Sequence, residues 1–502
     1  MPANATIEQL STVHLDGQVE RRALTGGVLS ALSQGCQFVL QLAYNVVLAR
    51  LLGPREFGLY GMVMAIAAFM NMFKDAGLST VTIQKESITQ AQVSNLFWIN
   101  LGVGGFATLL MVCAAPAIGW FYRQPEVTPI AVACAACFLL EGLATQHIAV
   151  LNRQMRFAAV SAVEIAATAG GLAVGMILAI AGAGYWSLVA ALLSTSAIRV
   201  AAAWTLSPWR PSLPTTRTGT RPLVHFGVDL TLSGVLFSIA RGTDLVLIGR
   251  SLGTEAVGLY SRASALLERP MERLLAPIYQ VIVPALSRLQ DAPDRYRKTY
   301  LQIFGAVAIA GFFLAGVSVP LARPLVTVVL GRRWEAAAPI FAAMGLAALF
   351  APLSAATSWL YLSQGRGRAL LRTSVITALT MTSAFALGIY WGTTGVALAY
   401  ALWGVCVDLP VTFYIGGSKG PVTTADLWAA ATRRTPVFAA TFAATWLVAS
   451  LPILSVPLLR VLAAGIVGLL TAATVVWASP SQRRSIVQFV RMVRTMSQAP
   501  AK

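Results

Sequence analysis

Residues 47–60 read Val-Leu-Ala-Arg-Leu-Leu-Gly-Pro-Arg-Glu-Phe-Gly-Leu-Tyr, and residues 247–260 read Leu-Ile-Gly-Arg-Ser-Leu-Gly-Thr-Glu-Ala-Val-Gly-Leu-Tyr. Arg50, Leu52, Gly53, Gly58, Leu59 and Tyr60 thus recur as Arg250, Leu252, Gly253, Gly258, Leu259 and Tyr260. Each copy lies between two apolar helical stretches, so each reads as a tight hairpin whose Gly-Pro or Gly-Thr step makes the turn. Weaker pairs follow in the same order: Pro129-Ile130 with Pro339-Ile340, and Gly184 with Gly395. The pattern implies a unit of six helices used twice. Six spans separate the copies, which puts both hairpins on one membrane face and makes the units parallel repeats about an axis along the membrane normal. Substrates of such pairs are expected between the repeats.

Composition supplies the solvent. Hydrophobic residues make up 57% of the chain and charged ones only 11%, with a mean hydropathy of +0.71. A soluble domain of this length needs a far more charged surface. Charge-free runs such as residues 299–322, 336–365, 435–459 and 461–482 are each long enough to cross a bilayer, which takes about 20 helical residues. Runs 165–198 and 373–407 hold two spans each, broken at Ala181-Gly-Ala-Gly184 and Trp391-Gly-Thr-Thr394. The expectation is an all-α integral membrane protein of about 14 helices, near 23–51, 57–79, 91–121, 127–150, 158–181, 184–206, 222–250, 256–288, 297–321, 336–362, 369–391, 394–414, 432–450 and 455–478. Alternating β patterning is absent, which excludes an outer-membrane barrel.

In this plan residues 1–22 form a cytoplasmic tail, since no short apolar core with a cleavage site follows them. Residues 23–206 form the first six-helix lobe, 207–221 a cytoplasmic loop and 222–414 the second lobe. Residues 415–478 hold two extra helices, and 479–502 a basic cytoplasmic tail. The net charge of +18 follows this topology. Arg153, Arg156, Arg210, Arg217, Arg221, Arg295, Arg297, Lys298, Arg366, Arg433 and Arg434 fall on the connections assigned to the cytoplasm, and the opposite connections hold far fewer cations. This is the positive-inside pattern, with both termini inside. The basicity therefore indicates orientation and implies no nucleic-acid partner.

Polar residues inside spans mark function, because a charge at mid-bilayer costs about 2.5–3.5 kcal/mol on insertion scales. In the first helix Ser33, Gln37, Gln41 and Tyr44 share one face. Two hundred residues on, Ser233, Phe237, Arg241 and Asp244 occupy the matching face. The eighth helix carries Arg262, Glu268, Arg269, Glu272 and Arg273 around Pro270, which is expected to kink it. Lys74 and Asp75 close the second helix, and Glu141 and Glu164 lie in the fourth and fifth. These faces are expected to line a wet cavity, against the alternative that the charges are ion pairs joining helices. Arginine holds phosphate or pyrophosphate well in a poorly hydrated site, since its fork donates paired hydrogen bonds and keeps its charge. The site expected from the residues is therefore cationic and suited to an anionic headgroup. Asp408 reads as a solvated charge at a helix end.

The run from Val47 to Tyr60, with Phe73-Lys-Asp-Ala-Gly-Leu78, Thr82-Ile-Gln84, Leu96-Phe-Trp-Ile-Asn100 and Gly331-Arg-Arg-Trp334, resembles the bacterial polysaccharide-exporter family, most of all its colanic-acid-exporter-like branch. That family shares a superfamily with the lipid II flippases and the multidrug and toxin extrusion transporters. The resemblance implies a V-shaped pair of lobes and no enzymatic activity. It implies a flippase that moves undecaprenyl-pyrophosphate-linked oligosaccharide repeat units across the bacterial inner membrane by alternating access, for exopolysaccharide, capsule or lipopolysaccharide biosynthesis. Arg241, Arg262, Arg269, Arg273 and Lys74 are then the candidates for holding the pyrophosphate, with Gln37, Gln41 and Tyr44 beside them. Asp244, Glu141, Glu164 and Asp229 are the candidate coupling carboxylates. The last two helices would form a groove for the polyprenyl tail. A polysaccharide polymerase and a chain-length regulator are the expected protein partners.

Other chemistries have little support. No G-x-x-x-x-G-K-[ST] loop occurs, so ATP is not the direct energy source. His14, His147 and His225 form no metal or catalytic constellation and read as interfacial residues, and no cofactor is implied. Cys36, Cys113, Cys134, Cys137 and Cys406 all lie within spans and read as ordinary thiols. Two rivals stay open: an ion-coupled multidrug antiporter, and a noncatalytic scaffold of the polysaccharide assembly machinery.

Overall fold

The computed structural model describes residues 19–71, 78–85, 88–215, 242–452 and 456–480, and residues 482, 483, 485, 487 and 488 beyond them. Arg241, Lys74, Asp229, His14 and His225 lie outside the described residues, as do residues 216–221 of the inter-lobe loop and residues 222–241 of the expected helix 222–250. Almost every described residue is helical, and none is in a strand. Eight helical stretches among them are long and apolar enough to cross a membrane. Large apolar side chains such as Phe106, Ile177, Leu379 and Leu470 face outward, as they do where the surrounding solvent is hydrocarbon.

The chain divides into two compact units, one ending at Gly258 and the other starting at Leu259. In the first, α1 (Val19–Leu51), α2 (Pro54–Asn71), a short α3 (Leu78–Gln84), α4 (Gln90–Tyr122), α5 (Val127–Arg153), α6 (Phe157–Ile180), α7 (Trp186–Leu206) and α8 (Thr243–Leu252) follow in order. Helix α4 packs along α5, α6 along α7, α1 against α6, and α7 also against α5. Small residues bring the axes together, as membrane helices require when lipid gives no hydrophobic drive to associate. Gly171 and Gly175 of α6 face the backbone of Ala191 and Ser187 on α7, and a methyl group at either position would crowd those carbonyls at 2.8 and 3.0 Å.

A long α9 (Thr254–Ser287) leads into the second unit and runs continuously through Pro270. It is followed by α10 (Pro293–Ser318), α11 (Ala322–Val329), α12 (Ala338–Ala347), α13 (Ala351–Ser363), α14 (Gly367–Gly388), α15 (Gly392–Trp403), α16 (Leu409–Gly417), α17 (Thr424–Thr432), α18 (Thr435–Ala449) and α19 (Pro457–Ala478). Tyr296, Tyr300 and Phe304 of α10 build its core with Phe350, Trp403 and Phe413. The stretch 336–362 is not one helix: it restarts at α13, where Pro352 occupies the first turn and lacks the N–H that would continue the ladder of α12. Likewise 394–414 is interrupted by one π-helical turn, Gly404–Asp408, before α16. Helices α11 and α17 form in segments expected to be connections.

Candidate functional site

The repeated motif folds into two hairpins whose copies meet. Gly58, in the second turn of α2, lies directly against the backbone carbonyl of Thr254, and Gly258, in the second turn of α9, lies against that of Pro54. The contact is reciprocal, and neither glycine has room for a Cβ. Gly253 has a φ of +87°, so its turn also needs the left-handed backbone that glycine alone adopts without strain. Around the crossing, Gly249 of α8 faces the ring of Tyr122 and the side chain of Met62.

The polar stripe of α1 is only partly open. Ser33 is buried, and Gln37, half-buried, donates from Nε2 to its Oγ at 3.1 Å. Gln41 is half-buried, and its backbone carbonyl accepts from Asn45 Nδ2 at 2.6 Å. Tyr44 is buried, with its hydroxyl against Gly175 of α6.

Among the described residues of the first unit, a charge cluster within the spans centres on Arg199, a residue that no pattern in the sequence singles out. Arg199 lies on α7 between its two partner helices. Its Nη1 donates to Glu141 Oε1 of α5, and its Nη2 donates to Glu164 Oε2 of α6 at 3.1 Å. Ser196, one turn earlier on α7, donates from Oγ to Glu141 Oε1 at 3.2 Å. The three charged side chains keep 20%, 13% and 28% of their surface for Arg199, Glu141 and Glu164. Two of the four coupling candidates are therefore joined through one guanidinium. With both carboxylates ionised the cluster is negative by one charge, and uptake of one proton makes it neutral. Glu164, the more open of the two, makes one contact with the guanidinium, whereas Glu141 also has Ser196. Asp244, the third candidate, stands half-buried in the first turn of α8, its Oδ1 accepting from the backbone N–H of Leu245 at 2.7 Å. The structure does not bring it to the cluster.

On α9, Arg262 is half-buried, and Arg269 and Arg273 are exposed. Spacings of seven and four residues place these three on one face of the helix. Further on, Leu275 and Ile278 of α9, Ala306, Ile309 and Phe313 of α10, and Leu469, Ala472 and Trp477 of α19 line an apolar groove of about 410 Å³.

Two expectations are corrected. Asp408 is no solvated end charge: the helix continues through the π-helical turn into α16, so the carboxylate lies inside the bundle, 5% exposed, with Thr412 Oγ1 donating to it at 3.4 Å. His147 is no interfacial residue either. It is fully buried, stacked on Trp204 with centroids 4.4 Å apart and edged by Phe97 and Trp209. Among the described residues no group of three or more His, Cys, Asp or Glu could hold a metal ion.

Residues 47–339 match the family described as "Polysaccharide biosynthesis protein". The chain is similar to the teichuronic acid biosynthesis protein TuaB of Bacillus subtilis, 25% identical over 351 residues that cover 69% of this chain and 72% of that protein. It is also similar to the succinoglycan biosynthesis transport protein ExoT of Rhizobium meliloti, 24% identical and covering 76% of this chain and 77% of that one. Among solved structures it shares the fold of the lipid II flippase MurJ in an inward closed conformation. The TM-score is 0.69 at 12% identity, with 89% of this chain and 98% of that one covered.

Proposed function

The chain belongs to the polysaccharide biosynthesis protein family, and from that premise we propose that it is a flippase for lipid-linked oligosaccharides. The cargo is undecaprenyl pyrophosphate bearing a glycan repeat unit, carried from the cytoplasmic to the periplasmic leaflet of a bacterial inner membrane, with both termini in the cytoplasm. The observation that carries this reading is the family match across both copies of the hairpin repeat. The fold likeness and the intramembrane charges support it.

In this reading the arginines supply the anion site. Arg262, Arg269 and Arg273 on one face of α9, with Arg241 and Lys74, hold the pyrophosphate with charge-assisted hydrogen bonds while the tail stays in hydrocarbon. Gln37 and Gln41 offer amides to the sugar. The glycine crossing of Pro54–Gly58 with Thr254–Gly258 ties the two hairpin turns together. Coupling falls to the Arg199 cluster, because a proton arriving at Glu164 releases one arm of the guanidinium and loosens α6 from α7. Asp229 and Asp244 are the other candidates. A glycan polymerase and a chain-length regulator would take the cargo onward.

Deletion of the gene tests the reading. Lipid-linked repeat units should accumulate on the cytoplasmic leaflet, and surface polysaccharide should be lost. Unchanged polysaccharide together with altered drug resistance would move the assignment to antiport. Normal export by strains carrying Arg241→Ala or Arg269→Ala would defeat the site assignment.

A further inference from the structure

Arg434 sits at the start of α18, only 7% exposed, with its guanidinium flat against Gly305 of α10. Nη1 donates to the carbonyl of Ala430 and Nη2 to Ser485 Oγ at 3.0 Å, while Nε is buried without an acceptor. No carboxylate among the described residues pairs with it. A buried cation without a counter-charge is costly, so such a site is built to receive an anion. It lines a cavity of about 490 Å³ with Asp294, Arg297, Lys298, Gln302, Asp426 and Arg433. Arg297 is already matched by both oxygens of Asp426, at 2.8 Å from Nε and 2.5 Å from Nη2. Lys298, Arg433 and Arg434 are left facing the single carboxylate of Asp294, so the cavity is net positive.

The cavity is also placed for a lipid. Asp294, Lys298 and Gln302 line it from one face of α10, and the same face continues as Ala306, Ile309 or Ala310, and Phe313, which line the apolar groove against α19. The step from Gln302 to Ala306 is one helical turn, about 6 Å. Along a single helix face a polar, cationic pocket thus gives way to a trough of hydrocarbon side chains, at the point where the apolar span of α10 begins. A soluble anion would use only the first half of this surface.

We propose that the cavity holds the phosphate of an anionic glycerophospholipid of the surrounding bilayer, with one acyl chain lying in the groove between α10 and α19. The lipid completes the counter-charge of Arg434 and ties α17 and α18 to α10. The inference does not depend on what the protein transports. Basic pockets between membrane helices on the cytoplasmic side suit such headgroups.

The test uses the full-length protein, purified in detergent and stripped of lipid, with native mass spectrometry for bound lipid and thermal unfolding as readouts. Phosphatidylglycerol should bind and raise the unfolding temperature. Phosphatidylcholine of the same chain length should bind at least about tenfold more weakly, and inorganic phosphate at equal concentration should give no shift. Arg434→Gln should weaken phosphatidylglycerol binding by about thirtyfold or more. Because that buried variant can also fail to fold, the rim double variant Lys298→Gln/Arg433→Gln is the second arm, expected to fold normally and to lose about tenfold. Equal binding of the two phospholipids, or a rim variant that binds as well as wild type, would overturn the proposal. So would inorganic phosphate reproducing the shift, or a polyprenyl diphosphate displacing phosphatidylglycerol at lower concentration, which would give the cavity to the transported lipid.

Discussion

Arg199 joins three helices through two half-buried carboxylates, and removing it takes away the guanidinium that both of them face. The asymmetry is general: deleting one partner of a buried ion pair costs about 3–5 kcal/mol, while replacing the whole set by neutral groups is often tolerated. Arg199→Ala should therefore unfold at markedly lower temperature in detergent, and the triple variant Arg199→Ala/Glu141→Gln/Glu164→Gln should recover most of the loss. If the triple variant were as unstable as the single one, the cluster would be held by packing and not by charge. Glu164→Gln alone should fold normally, since Nη1 keeps Glu141, yet should remove the pH dependence of transport that the coupling role requires. Why Arg199 escapes notice in the sequence is physical. Its partners are 58 and 35 residues away, and no periodicity along α7 reveals a contact made across helices; the one available signal is a lone charge ending an apolar run. Asp408 is hidden for a related reason: it sits near the inner end of the expected helix 394–414, yet the π-helical turn Gly404–Asp408 keeps the carboxylate buried.

At the level of elements, glycine is the residue that sequence reports best. Gly58 and Gly258 were visible as a repeat because a backbone-to-backbone crossing permits no other side chain, whatever the surrounding sequence does. Gly58→Ala and Gly258→Ala should each destabilise by about 1–3 kcal/mol through overpacking, and the double variant should lose less than the sum, since one crossing is broken in each case. Thermal unfolding of the four proteins checks this. The pairing of α17 with α10 is a separate case. Arg297 beside Asp426 holds that carboxyl down to about 2, from an ordinary 3.8. A depressed folded-state value stabilises above the unfolded value and is lost as pH falls through the folded one. Proteolytic protection of the α17 segment should accordingly stay constant from pH 8 to about 4 and weaken only toward pH 2, while Asp426→Asn should lose part of it at every pH. By contrast the break before α13 was hidden inside an unbroken apolar run: Pro352 alone marks it, and hydropathy does not register a missing N–H.

For the whole molecule, the lipid solvent and the helical class were legible from composition, because a chain with so few charges has no other medium. The spans α4 to α7 and α10 fall within a few residues of their expected limits for the same reason. The proposed anion site is less legible, since Arg262, Arg269 and Arg273 share a face by spacing alone while Arg241 and Lys74 lie outside the described residues. What unites the observations is a membrane protein whose first unit joins its helices through a charge cluster and crosses its two hairpins on glycine. The most direct measurement of the flippase reading is made in proteoliposomes, with a polyprenyl-diphosphate-linked oligosaccharide labelled on the sugar and a membrane-impermeant reagent that reports its leaflet. The account predicts movement between leaflets that depends on the protein and falls to background in Arg262→Ala/Arg269→Ala. Equal movement in the variant, or none with wild-type protein while a cationic drug is exchanged, would contradict it.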